Sequence, residues 1–269
     1  MKTRIITAIV LILAFGAVVV FGEGELEFLF SGGVVLLATA AAYEFMIRCH
    51  RHNKAIYWYH YLPIMMTLGF VLLNVILFDQ TAYFKGVMIG FMSIVFVYLM
   101  LYLFDQRMHR GELGVLLVST FYISFGFIGL AVLRHSDLFL LLYLLVITIS
   151  TDTFAYFIGI KFGKHRLMPK VSPKKSIEGA IGGLIFASVI GTWFAMHFDL
   201  ISESLIILFF LSVSLSLVSQ AGDLIASKFK REVGLKDYSH IFPGHGGILD
   251  RFDSLVFAGA YLMVILMVI

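Results

Sequence analysis

The chain has 269 residues, 60% of them hydrophobic, only 14% charged, and a formal net charge of +3. A soluble domain carries roughly 25% charged residues, and a water-exposed fold of this size could not cover so much apolar surface. Lipid is the remaining solvent, and a helix crossing it needs roughly 20 apolar residues.

In chain order such runs fall at Ile5–Phe21, Phe28–Ile47, Tyr61–Phe78, Gly86–Phe104 and Leu113–Leu133. They continue at Leu138–Ile160, Ile177–Phe198, Leu205–Ala226 and Phe252–Ile269. Long unbroken runs are unlike the alternating ten-residue segments of a membrane β-barrel. The expected fold is all-α, a polytopic membrane protein with about nine transmembrane helices in one integral domain, 1–269. Lys2 and Arg4 precede the first run, whose length and lack of a small-x-small site favour an uncleaved anchor over a signal peptide. Cys49 is the one cysteine, so neither an intramolecular disulfide nor a cysteine metal cluster can form.

Nine spans place 18 of the 20 lysines and arginines on one side, leaving Lys85 and Arg134 on the other. The positive-inside rule then predicts a cytoplasmic N-terminus and an external C-terminus. Connections on the external side, such as Gly22–Glu27 and Arg134–Asp137, are too short to build a site. The segments Lys161–Ser176 and Ser227–Arg251 are long, basic and cytoplasmic in this reading. They suit anionic partners, either lipid headgroups or a phosphorylated substrate. The division of labour expected is spans 1–136 as scaffold and lipid access, and 137–269 carrying the chemistry.

Asp152 lies inside the sixth run, nine residues before Lys161, or roughly 13 Å along a helix. Asp223 closes the eighth run in Gln220-Ala221-Gly222-Asp223. Carboxylates at membrane depth normally face a polar cavity and mark function, although a hydrogen-bonded structural aspartate is the alternative. Glu44 sits nearer a span end, where the structural reading is preferred. Pro243-Gly244-His245-Gly246-Gly247 leads into Ile248-Leu249-Asp250-Arg251-Phe252-Asp253. Its glycines let backbone amides approach an anion ahead of a helix N-terminus. Asp250 and Asp253 share a helix face, and paired carboxylates beside a phosphate suit Mg²⁺. They could instead only complement the helix dipole, and His245 could either contact phosphate or pack the turn. In Ser172-Pro173-Lys174-Lys175-Ser176, Ser176 is placed to cap the seventh span. Lys174 and Lys175 would then sit at a positive helix end, which is unfavourable without a bound anion. Gly179, Gly182 and Gly183 suit close helix packing.

At these residues the chain resembles the phosphatidate cytidylyltransferase (CDP-diacylglycerol synthase) family. The signature runs Ser227-Lys228-Phe229-Lys230-Arg231, Lys236-Asp237 and Pro243 through Asp253, with every fixed position matched across 27 residues. A second block runs from Asp152 through Ala155-Tyr156, Gly159, Phe162-Gly163-Lys164 and Pro169 to Ser172–Ser176, and the opening Lys2–Ala8 is also similar. Ala226 departs from the acidic residue expected before the signature serine, and Ser176 replaces the commoner threonine. The resemblance implies that CTP and phosphatidic acid give CDP-diacylglycerol and pyrophosphate in phospholipid biosynthesis. It implies Mg²⁺, with room for a second cation, on Asp223, Asp250, Asp253 and, less directly, Asp152. Lys175, Lys230, Arg231 and Arg251, together with Asp223 and Asp250, form the implied catalytic set. Lys174, Ser176, Ser227, Lys236, Asp237, His245, Gly246 and Gly247 form the implied substrate-binding set. The implied setting is a bacterial inner membrane with the site on the cytoplasmic side, no nucleic acid, and a homodimer left open. Two rivals remain: a related CTP-dependent lipid kinase or archaeal-type lipid cytidylyltransferase, and an anionic-solute transporter, which would normally carry repeats and broken midplane helices.

Overall fold

The computed structural model describes residues 16, 19–20, 22, 27–50, 57–76, 80–201, 204–242, 244 and 246–268. The expected first span lies mostly outside them, as do His245, Pro243 and Ile269. Helices are α1 (Glu27–His50), α2 (Leu62–Ile76), α3 (Gln80–Phe104), α4 (Arg110–Ser136), α5 (Leu138–Phe162), α6 (Ile177–His197), α7 (Leu205–Glu232) and α8 (Leu249–Val268). Among the described residues eight helical segments are long and apolar enough to cross a membrane.

Where spans differ from the apolar runs, local chemistry explains it. A 3₁₀ turn, Trp58–Tyr61, leads into α2. Helix α7 continues past Ala226 through the signature residues to Glu232, because helical hydrogen bonding does not stop where the apolar side chains do. Between α5 and α6 the chain forms a two-stranded antiparallel hairpin, β1 (Arg166–Met168) and β2 (Ser172–Ser176), with Arg166 opposite Ser176. This short hairpin is a local feature of an otherwise all-α fold. The segment holds too few consecutive apolar residues for a span, and pairing the strands satisfies part of its backbone.

The chain divides into two compact units. The first comprises 1–131 and 237–251, so the signature segment belongs with the N-terminal helices. Its interior carries hydroxyl contacts such as Tyr98 Oη to Thr120 Oγ1 at 2.7 Å, and a cluster of Phe70, Phe91, Phe121 and Phe125 rings. The second comprises 132–236 and 252–269. There α5 packs on α6, and α7 packs on both. A Cβ on Gly179 would stand 2.6 Å from the Ala155 carbonyl, and one on Gly183 would stand 2.6 Å from that of Thr151. Backbone cannot move aside, so glycine is required for this crossing, as small-residue interfaces in membranes generally show. Hydroxyls tie the same helices: Tyr143 to Ser212 at 2.8 Å and Thr151 to Ser216 at 2.8 Å. Asp137 caps α5 by accepting from Phe139 N, and Ser176 caps α6 by accepting from Gly179 N at 3.1 Å.

Candidate active site

In the second unit, antiparallel succession puts the C-terminal ends of α5 and α7 and the N-terminal end of α6 at the hairpin side. Gly222 lets α7 meet α8 closely, since a Cβ there would lie 2.7 Å from Phe257 Cβ and 2.9 Å from the Asp253 carbonyl oxygen. Asp223, the next residue, is thereby held near Asp253. Three carboxylates gather here: Asp223 follows the Gly222 contact with Asp253, and its ion-pair partner Lys175 shares a cavity wall with Asp152. Two lysines oppose them. Lys175 forms an ion pair with Asp223 Oδ2, and Lys230, 7% exposed, acts on Asp253. Ser227 donates to the other Asp223 oxygen, Oδ1, at 3.3 Å.

Beside this cluster lies a cavity of about 640 Å³. Its walls include Asp152, Tyr156, Arg166, Lys174, Lys175, Ser176 and Gln220, with Ala155, Gly159, Gly163 and Ala180 giving it room. The sequence reading missed Tyr156 as a wall residue, and also Arg166 and Gln220. Arg166 donates to the Lys174 carbonyl at 3.3 Å, which keeps its guanidinium along the hairpin. Gln220 donates to the Ala180 carbonyl at 3.2 Å. A second pin is Glu178, whose carboxylate accepts from the Lys164 and His165 amides and contacts His165 Nδ1 at 2.7 Å.

Other expected site residues of this unit have defined surroundings. Arg231 donates from Nε to the Val171 carbonyl at 3.3 Å and from Nη1 to that of Leu235 at 2.7 Å, clipping the hairpin turn to the end of α7. Lys236 is exposed. Lys228 reaches Glu232 only at 3.9 Å on the surface.

Asp250, Gly246 and Gly247 belong to the first unit, with Asp237 beside them in chain order and Arg251 exposed at its end. Asp250 Oδ2 accepts from Tyr238 N at 2.8 Å and from Gly247 N at 2.9 Å. The amides of Ile248 and Leu249 donate to Glu44, a residue the sequence reading set aside as structural. Of the two glycines expected to cradle phosphate, Gly247 has its amide bonded to the protein's own carboxylate.

Among the described residues no three histidine, cysteine, aspartate or glutamate side chains stand close enough to hold a metal ion as they are placed. The donor set of the second unit nevertheless fits a hard divalent cation. Three oxygen-donor carboxylates within electrostatic reach of one another match the preference of Mg²⁺, which keeps several waters and takes few protein ligands.

Comparison with known proteins follows the same lines. A model of the cytidylyltransferase family matches residues 2–269. A phosphatidate cytidylyltransferase of Staphylococcus saprophyticus is 32% identical over 269 residues, covering 99% of each chain. One from Staphylococcus epidermidis is 31% identical over 268 residues, again 99% of each. One from Staphylococcus aureus (strain COL) is 45% identical over 150 residues, 56% of this chain and 57% of that one.

Proposed function

The chain belongs to the cytidylyltransferase family, and from that membership and the polar cluster of its second unit we infer how it works. It is a membrane-embedded nucleotidyltransferase that moves the cytidylyl group of CTP onto phosphatidic acid. A phosphate oxygen of the lipid forms a bond to the α-phosphorus of CTP. The bond from that phosphorus to the bridging oxygen breaks, and pyrophosphate departs with the electron pair. The lipid phosphate is already an anionic nucleophile, so no protein nucleophile is required. The protein must overcome repulsion between two polyanions, align them in line, and stabilise the leaving charge.

The observation that carries this reading is the juxtaposition of Asp152, Asp223 and Asp253 with Lys175, beside a cavity walled by Lys174 and Arg166. Asp152, Asp223 and Asp253 are assigned to hold Mg²⁺. When bound, that ion supplies Lewis-acid stabilisation of charge on phosphoryl oxygens. Lys174, Lys175 and Arg166 neutralise the phosphates in the cavity, and Arg251 and Lys236 serve the same end from the signature. Lys230 balances Asp253, and Ser227 orients Asp223. Arg231 holds the hairpin that carries the cavity lysines. Ser176 spends its hydroxyl on the α6 cap and so fixes Lys175, one residue before it. Asp250 is assigned to its own loop, where one carboxylate oxygen already serves two amides.

For the membrane arrangement the proposal is nine spans, counting 5–21, in a bacterial inner membrane. The lysine and arginine asymmetry supports a cytoplasmic position for the hairpin, Lys170 and Lys236. The test is purified full-length protein in detergent with CTP, phosphatidic acid and Mg²⁺. CTP labelled at the α-phosphate should leave its label in lipid, and label at the γ-phosphate should appear in pyrophosphate. Transfer of the γ-label to lipid would make the chain a kinase and overturn the reading.

A further inference from the structure

Glu44 lies on α1, six residues before its end, and its side chain is only 3% exposed. A buried carboxylate is costly unless it is hydrogen-bonded. Glu44 meets that demand from far along the chain. Its Oε1 accepts from Ser239 Oγ at 2.5 Å and from Ile248 N at 3.0 Å, and its Oε2 accepts from Leu249 N at 3.1 Å. The last two donors lie at the start of α8, where helix amides have no partner within the helix. Negative charge at that end also meets the favourable pole of the helix dipole. The neighbouring ring of Phe45 sits 5.7 Å from that of Tyr238, on the same segment.

Gly247 gives independent support. A Cβ at this position would lie 2.5 Å from Glu44 Oε2, 2.7 Å from Oε1 and 2.7 Å from Ser239 Oγ. A side chain at 247 would therefore push the Glu44 carboxylate away from its amide donors.

We propose that Glu44 is a positioning residue for the signature segment, standing where an anion would otherwise bind and fixing Ser239, Ile248 and Leu249 where α8 begins. Asp253 lies on that helix one turn after Leu249, so the segment's placement sets where the helix begins. The assignment rests on the function proposed above. It removes the Ile248 and Leu249 amides from the phosphate-binding groups and leaves phosphate to the lysines and arginines.

The experiment uses full-length protein in detergent, with kcat, KM for CTP, thermal midpoint and amide hydrogen exchange measured together. Glu44→Gln keeps the size but turns an NH₂ toward donors. It should lower kcat roughly tenfold to a hundredfold, the scale of a small misplacement of reacting groups, with KM for CTP changed less than about threefold. Exchange at Ile248 and Leu249 should quicken, while the Tyr238 amide, held by Asp250, stays protected. Glu44→Asp should recover part of kcat. Gly247→Ala should impair the wild type but add less in a Glu44→Ala background, because the carboxylate clash is gone and Ser239 Oγ, no longer held by Glu44, can turn aside; such non-additivity is the mark of direct coupling. Wild-type kcat in Glu44→Gln with unchanged exchange at 248 and 249 would overturn the assignment. So would additive Gly247 and Glu44 effects, or activity lost only in proportion to folded protein. If the wild type itself makes no CDP-diacylglycerol, the functional reading fails, and the exchange pattern and the stability form of the double-mutant cycle still decide the role of Glu44.

Discussion

Two groups of carboxylates in this molecule are handled in opposite ways. In the first unit Glu44 and Asp250 accept from backbone amides: Glu44 from Ile248 and Leu249, Asp250 from Tyr238 and Gly247. In the second unit Asp152, Asp223 and Asp253 act on one another, with Lys175 paired to Asp223. Amide donors are fixed and cannot be exchanged without opening the loop, so the first arrangement holds shape. Lysine is a mobile point charge on a flexible stem, so the second can trade its partner for another cation or a phosphate. Asp253 also accepts from an amide, Ser254 N at 2.8 Å, but that donor is its own neighbour on the helix, whereas Asp250 holds Tyr238 from twelve residues away.

Removing charge from the second group should have the largest effect on turnover. Asp223→Asn and Asp253→Asn are each expected to lower kcat by roughly a hundredfold or more, the scale of losing one strong electrostatic contact in the transition state. Folded protein should survive, because fewer carboxylates then repel one another. Steady-state kinetics across a Mg²⁺ titration checks this, and near-normal turnover at every concentration would remove the metal assignment. Asp152→Asn should be milder, since Asp152 also lines the open cavity.

In the first group the same kind of change should act on stability. Asp250→Ala leaves the buried amides of Tyr238 and Gly247 without an acceptor, at a cost of about 1–3 kcal/mol. Its thermal midpoint should fall clearly below that of Asp223→Ala. Equal midpoints with equal loss of turnover would erase the distinction between the groups.

Lys175 sharpens the comparison from the cation side. Its ion pair with Asp223 is partly exposed, with side-chain accessibilities of 28% and 27%, so the pair itself is worth only about 0–1 kcal/mol. Lys175→Ala should nonetheless lower the thermal midpoint in EDTA, by leaving three carboxylates less compensated, and Mg²⁺ should restore it. KM for CTP should rise at the same time. A sequence-based expectation would have the lysine neutral or unfavourable for stability, because it sits beside a helix N-terminus. The partner that reverses this, Asp223, lies 48 residues along the chain.

That contrast shows what was legible in the sequence. Eight of the apolar runs reappear as helices because lipid imposes length and polarity on each one separately. Ser176 as a cap and Gly179 and Gly183 at a close crossing were readable for the same reason: their roles are set within a few residues, or by size alone. The partners of Glu44 were not readable, because they stand 195 to 205 residues away. The only local sign was an acidic residue in an apolar helix. Arg166 was hidden by the hairpin, whose Ser172-Pro173-Lys174-Lys175-Ser176 strand has no apolar alternation and reads as loop. The grouping of 237–251 with the N-terminal helices has no sequence signal at all.

The smallest effect should come from Ser227, the first residue of the signature. One helical turn separates it from Asp223 on α7, which places its hydroxyl on the same face. It donates to Asp223 Oδ1 at 3.3 Å, long for an O–H donor to a carboxylate. Oδ2 of the same group carries the Lys175 pair, so loss of the serine leaves Asp223 still oriented from one side. A typical hydrogen bond contributes about 0.5–1.5 kcal/mol, and more when it reaches a charged group. The long distance puts this one at the lower end. Ser227→Ala should therefore lower kcat roughly two- to fivefold, with the half-saturating Mg²⁺ concentration rising by a similar factor. Ser227→Thr retains the hydroxyl and should stay near wild type. A hundredfold loss in Ser227→Ala, matching Asp223→Asn, would mean that the hydroxyl touches the metal or substrate directly and that it belongs with the carboxylates.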